Sequence, residues 1–310
     1  MRTSSVVLAV ASAASVLGAP LEKKANYDAL PGGDSTILNY ALTLEYLERA
    51  FYGQGLKNFT ESDFCEYAGE VGEKFYKNLR VIYEDEKTHV EFLQKALGAS
   101  AIPEPSFSFP VTDAESFIGL AGILEGVGVS AYLGAAAVIA DKAYVTPAGS
   151  ILTVEARHAS YIRAALRQKP FPAPFDTPLN FNQVFSLAAQ FITGFAPGTP
   201  ALPFKAFPEL TVVPTRDSNG AVFEGAYKAA VEAKTVAQDA DVYAVFFSGL
   251  ETYYSKVAVS GADYVVADLP KGAKGQVYVV LSTANGKETK VSDENTVAGV
   301  GILEIEDAGW

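Results

Sequence analysis

The chain has 310 residues, of which 49% are hydrophobic, 12% aromatic and 19% charged. This composition is typical of a globular protein with one or two cores and excludes a disordered or fibrous chain. The net charge of -12 at pH 7 argues against nucleic acid or an anionic membrane surface as a partner. There are only two histidines and one cysteine, so histidine chemistry is confined to His89 and His158 and no internal disulfide can form. Cys65 is interpreted as a small buried residue, with an intermolecular disulfide as the alternative.

The N-terminus has the pattern of a secretory signal peptide. A basic start, a short apolar run and a series of small residues precede the pair Lys23-Lys24. Because the apolar run is shorter than the ~20 residues that span a bilayer, we predict that residues 1–24 are a signal peptide with a possible pro-segment. The predicted location is therefore extracellular or in the cell wall, and the sequon that begins at Asn58 predicts a glycan there.

Two regions of the chain differ in their hydrophobic period. From about 34 to 193, apolar residues recur at intervals of three and four, which predicts amphipathic helices. The predicted helices run from Asp34 or Ser35, either of which can cap the first one, to about Tyr52, from Ser62 to Leu97, from Asp113 to about Tyr144, from Ala148 to Gln168 and, for a shorter fifth, from Asn182 to Thr193. The four long helices predict a bundle over residues 34–195.

The second region is rich in β-branched and aromatic residues. The prolines of residues 196–208 cannot continue a helix, so this segment is predicted to be a semi-rigid linker. Short apolar segments separated by Gly, Asn and Asp follow it and predict a small β-sandwich-like domain over residues 209–310. The predicted strands are 210–213, 242–247, 253–259, 264–266 and 276–281. The predicted fold class is thus α+β by domain, a helical bundle followed by an all-β domain.

Four carboxylates and both histidines fall on the apolar stripes of the four long predicted helices. The second and fourth helices each carry a Glu-x-x-His pair, and the first and third each carry one inward glutamate. The resulting candidate metal ligands are Glu45, Glu86, His89, Glu125, Glu155 and His158. Glu48 is an alternative to Glu45, since it also lies on the apolar side of the first helix.

Metal coordination gives this spacing a chemical reason. Residues three apart lie on one helix face, so a carboxylate and an imidazole can bind the same ion while glutamates from the other helices complete the site. The alternative without metal is that each histidine is a core residue paired with the glutamate one turn before it. Burying several carboxylates without counter-charge is costly, and divalent metals remove that cost. We therefore predict two Fe or two Mn ions, between which this ligand set does not choose.

The third predicted helix also satisfies the length criterion for a membrane span. Residues 117–140 include a single charge, that of Glu125, and the small pair Gly122 and Gly126. A central glutamate is costly in lipid and is better explained by a bundle interior. We predict a core helix and no membrane span.

Four segments of the helical region resemble the secreted ferritin-like domain proteins of fungi. They are Leu38–Glu48, Asp85–Val90, Leu124–Tyr132 and Val154–Ala159. That group includes late sexual development and stress-response proteins and is similar to plant desiccation-related proteins. The resemblance implies a ferritin-like four-helix bundle in which the six candidate residues occupy dimetal ligand positions.

Two classes of function follow from this interpretation. The first is an extracellular dimetal oxidoreductase, ferroxidase-like or manganese-catalase-like, with O₂, peroxide or Fe(II) as its small substrates. The second is a non-catalytic developmental or stress protein of the cell surface, in which the metal site is structural or vestigial and the β domain contacts cell-wall polysaccharide. Iron storage in a cage is disfavoured, because the appended domain and a glycan would obstruct shell packing.

Overall fold

The computed structural model describes residues 30–65, 67, 71, 74–214, 221–224, 240–260, 263–266 and 268–305. In these ranges the α-helices are α1 (Asp34–Asn58), α2 (Phe75–Leu97), α3 (Ala114–Ala135), α4 (Lys142–Ala165) and α5 (Phe181–Ala188). The strands are β1 (Ser106–Phe107), β2 (Ile192–Gly194), β3 (Thr211–Pro214), β4 (Ala221–Glu224), β5 (Tyr243–Ser248), β6 (Glu251–Lys256), β7 (Ala258–Ser260), β8 (Asp263–Val266), β9 (Gly275–Ser282) and β10 (Thr296–Ile305). Antiparallel sheets follow a helical region, which confirms the predicted α+β class. The predicted signal peptide, residues 1–24, lies outside the described residues.

The four long helices form a bundle in which α1 packs mainly on α2, and α3 on α4. Their apolar stripes meet in one core, because residues three and four apart lie on the same helix face. Fully or almost fully buried side chains of this core include Phe51, Leu79, Ile82, Phe117, Ile118 and Ile162. The core surrounds the inward-facing glutamates and histidines of the same stripes.

Two predicted helix boundaries between α3 and α4 are wrong. The third helix ends at Ala135 instead of near Tyr144, and α4 begins six residues before Ala148. The cause is a capped turn, since the Asp141 carboxylate accepts a hydrogen bond from the Ala143 N–H at 2.9 Å. The side chain of Asp34, a predicted cap of α1, instead accepts hydrogen bonds from the N–H groups of residues 140 and 141.

Other boundaries differ for similarly local reasons. Helix α1 extends to Asn58 instead of Tyr52. Residues 61–64, predicted as the start of the second helix, form a 3₁₀ turn with its own capping box at Thr60, and α2 itself begins at Phe75, after a turn at residue 74. Helix α4 ends at Ala165, before the left-handed residue Arg167. Helix α5 ends at residue 188, and residues 192 and 193, predicted as the end of this helix, belong to β2, which pairs with β1. Cys65 is exposed, so its interpretation as a buried residue is wrong.

Helix α3 is long and apolar enough to cross a membrane, counted with the 3₁₀ turn that follows it. However, 72% of its most apolar 18-residue stretch is buried inside the fold. Glu125, the charged residue in the middle of the helix, is fully buried. Glycines let its neighbours approach closely. A Cβ built at Gly134 would lie 1.8 Å from the backbone oxygen of Leu179, and one at Gly126 would lie 2.6 Å from Gln276.

The strands of the C-terminal region form two four-stranded antiparallel sheets, ordered β10-β9-β5-β6 and β3-β4-β8-β7. The central strands of the first sheet, β5 and β9, are buried on both faces, and their side chains alternate between two cores. Val245, Tyr278 and Val280 join the core of the helical bundle, while Ala244 and Phe246 join a second core that includes Val266 of the other sheet. The prediction missed β4 and β10, and the strand expected at 253–259 is divided between β6 and β7.

The bundle and the first sheet are joined by polar contacts as well as by the shared core. The Tyr278 hydroxyl donates to the backbone oxygen of Gly126 at 2.8 Å, and Arg163 of α4 makes a bidentate ion pair with Glu304 of β10. The proline-rich segment 196–208 packs against the helical region. Its Phe204 is buried and stacks on Phe181 with ring centroids 5.2 Å apart.

Candidate metal centre

All six candidate ligands come together in the middle of the bundle. The four glutamates have no exposed surface, and the two histidines are about nine-tenths buried. Each lies on the inward stripe of its helix, Glu45 on α1, Glu86 and His89 on α2, Glu125 on α3, and Glu155 and His158 on α4. The residues selected by helical period therefore form one cluster of carboxylates and imidazoles.

The first part of the cluster surrounds His89. Its Nδ1 lies 3.1 Å from a carboxylate oxygen of Glu45 and 3.1 Å from one of Glu86. An oxygen of Glu155, from the opposite helix pair, is 3.4 Å away. Each of these four residues offers one ligand atom such that all the atoms lie within 4.8 Å of one another, so the group could hold a metal ion.

The second part surrounds His158 in the same way. Its Nδ1 lies 3.0 Å from Glu86 and 3.4 Å from Glu125. Glu86, Glu125, Glu155 and His158 form a second group that meets the same 4.8 Å condition. Glu86 and Glu155 belong to both groups, and these are the glutamates of the two Glu-x-x-His pairs.

Two tyrosines form reciprocal hydrogen bonds between α1 and α3, here called the tyrosine exchange. Their acceptors are the outer glutamates, Glu45 and Glu125, which each belong to one group only. Tyr52 of α1 donates a hydrogen bond to Glu125 of α3, and Tyr132 of α3 donates one to Glu45 of α1. Each tyrosine lies seven residues after the glutamate of its own helix, or about 10 Å along the axis, so it reaches the other helix instead. The paired contacts require α1 and α3 to run antiparallel at the centre.

Asp85 supports one of the two histidines from the outside. Its carboxylate lies 3.2 Å from Nε2 of His158, the ring nitrogen that faces away from the cluster. A carboxylate on the outer nitrogen fixes the tautomer and orientation of a metal-binding imidazole. In the sequence, Asp85 is marked only by its position beside Glu86. The tyrosine exchange is marked only by two glutamates, each followed by a tyrosine seven residues later.

Glu48 lies beside the cluster and belongs to neither group. It is 3% exposed, and it faces Glu155 across Gly128. A Cβ built at Gly128 would lie 2.9 Å from Oε1 of Glu48 and 3.0 Å from Oε2 of Glu155. The geometry therefore favours Glu45 over Glu48 as the α1 member of the cluster and explains why residue 128 has no side chain.

Burial and mutual repulsion raise the pKa of most of these carboxyl groups. Desolvation raises the pKa of Glu45 to about 7, against the hydrogen bond with His89 that lowers it. Desolvation, followed by repulsion from neighbouring carboxylates, raises the pKa values of Glu48 and Glu155 well above the usual range. Glu125 is shifted in the same direction, also mainly by burial. The cluster thus favours a partly protonated state when no metal is bound.

Glu86 and the histidines are shifted by each other. Burial opposes the charge of Glu86, but the nearby rings of His158 and His89 lower its pKa to about 2. Burial likewise opposes the positive charge of His158, and attraction to Glu125 raises its pKa to about 11 nevertheless. The pKa of His89 is also raised, because the nearby carboxylates of Glu155, Glu45 and Glu86 outweigh its desolvation. The carboxylates therefore favour positive charge at both ring positions, which is where cations would be held.

Several ligand atoms have no hydrogen-bond partner although they are fully buried. They are Glu86 Oε1, Glu125 Oε2, both carboxylate oxygens of Glu155 and Nδ1 of His158. Nδ1 of His158 is close to two carboxylates without hydrogen-bond geometry to either. Buried polar atoms normally have partners, and atoms that converge without bonding to one another fit a metal ion held between them. The residues present therefore fit the metal that this arrangement implies.

The remaining predicted site residue is separate from this cluster. Asn58 is the last residue of α1, and it is exposed. Its position leaves the side chain accessible, while a glycan on it stays a prediction.

Comparison with known proteins agrees with this geometry. Residues 33–168, which include the four long helices and all six candidate ligands, match the family model of the ferritin-like domain. The chain is also 28% identical over 180 residues to Protein rds1 of Schizosaccharomyces pombe, across 58% of this chain and 44% of that protein. The chain therefore spans less than half of the relative that it matches. The helical region of this chain is therefore similar to the ferritin-like domain, and its buried carboxylate and histidine groups could hold metal.

Proposed function

We propose that this ferritin-like domain binds two iron or two manganese ions and acts as a secreted oxidoreductase on O₂, peroxide or Fe(II). One observation carries the proposal: the two four-residue groups share Glu86 and Glu155, and each has its own glutamate and histidine. One glutamate from each of two helices, with a Glu-x-x-His pair from each of the other two, is the ligand set of dinuclear carboxylate centres. When bound, two such ions would supply redox steps for O₂, peroxide or Fe(II).

The protein residues would contribute positioning and charge. The residues that would hold the ions are Glu45 and His89 of one group, Glu125 and His158 of the other, and Glu86 and Glu155, which belong to both groups. The tyrosine hydrogen bonds hold the outer glutamates in place, and Asp85 holds the ring of His158. The surrounding apolar core excludes water, so the carboxylates remain ligands for cations instead of being solvated.

Metal analysis of the purified protein tests the binding step. After anaerobic loading with Fe(II) or Mn(II), we expect about two ions per chain, and we expect Glu86→Gln to lose most of both. Glu84→Gln is the matched control, because Glu84 lies on the same helix with 62% of its side chain exposed. Absence of metal from the loaded protein, or equal metal content in both variants, would overturn the proposal.

Turnover assays then separate an enzyme from a structural site. Release of O₂ from peroxide by the manganese form, or O₂ consumption with Fe(II) by the iron form, would support an oxidoreductase. If the ions bind and raise the melting temperature but neither reaction occurs, the site is structural, as expected for a non-catalytic cell-surface stress or developmental protein. The extensive burial of the carboxylates favours this second candidate, because their repulsion alone makes the metal stabilising.

Secretion and glycosylation have their own test. Expression of the full chain in a fungal host should place the protein in the medium or the cell wall, with residues 1–24 absent from its N-terminus. Treatment with an endoglycosidase should increase its gel mobility, and Asn58→Gln should abolish that change. Retention inside the cell with an intact N-terminus would exclude this part of the proposal.

A further inference from the structure

A cavity of about 320 Å³ lies between the bundle and the first sheet, next to the candidate metal centre. It is bounded by α1, α3 and α5 on one side and by residues of β10 and the segment before β3 on the other. A volume of this size falls within the range of small-molecule binding pockets. The cavity exists because the sheet packs on α3, so the ferritin-like domain alone would not enclose it.

The walls of the cavity are apolar. They include Leu44, Leu47, Leu124, Val127, Leu187 and Val300, all of which are buried. The exposed side chains of Gln190 and Glu209 lie at its outer end. Apolar cavities take up apolar guests in preference to water, so the lining selects for an uncharged hydrocarbon-like molecule.

Glu48 lines the cavity together with Gly128. Among the described residues, none forms a hydrogen bond or ion pair with Glu48, although only 3% of this residue is exposed. A buried carboxyl group normally has a hydrogen-bond partner. A ligand that fills the apolar cavity and ends in a hydroxyl group would supply one, by donating to Glu48.

Charge excludes one class of otherwise similar molecules. Glu48 faces Glu155 across Gly128. A fatty acid anion in the cavity would bring its carboxylate against the carboxyl group of Glu48, whereas an alcohol would donate a hydrogen bond to it. The site should therefore discriminate between an alcohol and a carboxylate of the same chain length.

We propose that this cavity is the binding site of a medium-chain aliphatic alcohol, whose hydroxyl group donates a hydrogen bond to Glu48 beside the candidate metal centre. Binding by this contact requires no metal ion, so the proposal goes beyond the dimetal function and does not depend on it.

Crystals of the full mature chain soaked in 6-bromo-1-hexanol test the location, because bromine gives an anomalous signal. We expect a bromine peak in the cavity and the hydroxyl oxygen within hydrogen-bond distance of Glu48. Ligand-observed NMR titration of chelator-treated protein then gives the affinity in solution. Bromine only at the surface, or no saturable binding by NMR, would overturn the proposal.

Variants test whether the cavity and the carboxyl group determine the binding. Ile123 lines the cavity and is partly exposed, so Ile123→Trp should fill it and weaken binding of the alcohol by about 10-fold or more. Leu152→Trp is the matched control, because it adds the same ring to a half-buried position of α4 outside the cavity. Leu120→Trp provides a second filled cavity if Ile123→Trp melts well below the wild type. Unchanged affinity in the folded filled variants would overturn the proposal.

Glu48→Leu tests the polar contact. The wild type should prefer 6-bromo-1-hexanol to both 1-bromohexane and 6-bromohexanoate, and the variant should lose the preference for the alcohol over the bromoalkane. Equal binding of all three molecules to the wild type would contradict the assignment of Glu48. Because these titrations use metal-free protein, failure to load metal and failure to bind the alcohol are separate results.

Discussion

The α1–α2 pair and the α3–α4 pair supply the candidate metal centre with the same residue types at the same helical steps. The corresponding residues are Glu45 and Glu125, Tyr52 and Tyr132, Glu86 and Glu155, and His89 and His158. The correspondence ends at two positions. Three residues after the outer glutamate the first pair has Glu48 and the second has Gly128, and just before the shared glutamate the first pair has Asp85 and the second has Val154.

These differences show that the two helix pairs, here called the halves of the bundle, have different roles. Gly128 leaves the space that Glu48 occupies, so the first pair brings an extra carboxyl group into the centre and the second pair accommodates it. The second pair also carries the contacts to the sheet, through Gly126 and Arg163. The ligand set is thus nearly symmetric, whereas the surroundings that would determine access to it are not.

The largest effect is expected where the halves share a residue. Glu86→Gln or Glu155→Gln should reduce the bound metal from about two ions per chain to well below one, because both four-residue groups lose a ligand. Glu45→Gln or Glu125→Gln should mainly weaken one ion each. Metal content after dialysis, compared with Glu84→Gln, measures the difference. Equal losses in all four variants would show that the halves are not separate sites.

The next effect is a pH dependence of the metal-free protein. Carboxyl groups with raised pKa values, including Glu45 at about 7 and Glu48, bind more protons in the folded state than in the unfolded state. Their contribution to stability is therefore present below about pH 4.5 and lost as the pH rises through the folded pKa values. Glu86, with a pKa of about 2, contributes in the opposite sense, and that contribution is lost only in acid.

Urea denaturation between pH 5 and 8 checks this sign. The free energy of unfolding of the chelated protein should fall as the pH rises, and Glu48→Gln should flatten the slope because it removes a titrating group that the second half lacks. Metal loading should reverse the trend, since protons compete with metal for the ligands. A metal-free protein that becomes more stable from pH 5 to 8 would contradict these shifts.

The tyrosine exchange predicts a crossed pattern. Tyr52→Phe should disturb Glu125 and hence the ion of the second pair, while Tyr132→Phe should disturb Glu45 and the ion of the first pair. Each loses a hydrogen bond to a buried carboxylate and should destabilise the fold by about 1.5–3 kcal/mol. Double variants that combine each tyrosine change with Glu45→Gln or Glu125→Gln identify the hydrogen-bonded pairs. Losses of unfolding free energy should be non-additive only for a tyrosine and its own acceptor.

The smallest effect is expected at the position where the halves differ. Gly128→Ala places a methyl group against Glu48 and Glu155 and should cost about 1–3 kcal/mol, part of which Glu48→Ala should recover. Gly119→Ala is the control on the same helix, since nothing lies within 4 Å of its added Cβ, and it should stabilise by up to ~1 kcal/mol. Equal melting temperatures for the two glycine variants would show that the crowding is relieved by small shifts.

Helical period was sufficient to select the ligand candidates, because burying a charged residue on an apolar stripe requires a partner. It could not decide between Glu45 and Glu48, since residues three apart share a helix face and only the approach of α3 separates them. The partner of Tyr52 depends on the antiparallel placement of α1 and α3, which no local pattern encodes.

Errors in the fold have equally specific causes. Residues 296–305 contain two glycines, which weaken the strand signal, yet they form the longest strand among the described residues because β9 pairs with them. The turn at Asp141 was missed because the apolar pattern continues through it and only the capping contacts break the helix. The proline-rich segment was correctly predicted to lack a helix, but the burial of Phe204 depends on an aromatic partner 23 residues earlier.

Helix α3 contacts its surroundings at several positions that have no side chain: Gly122 faces α4, Gly126 faces β9, Gly128 faces two carboxyl groups and Gly134 faces the loop before α5. A disturbance of any of these neighbours reaches the helix backbone directly, without a flexible side chain to absorb it. The bundle and the first sheet should consequently unfold as one cooperative unit, with a single calorimetric transition that shifts as a whole when metal is added.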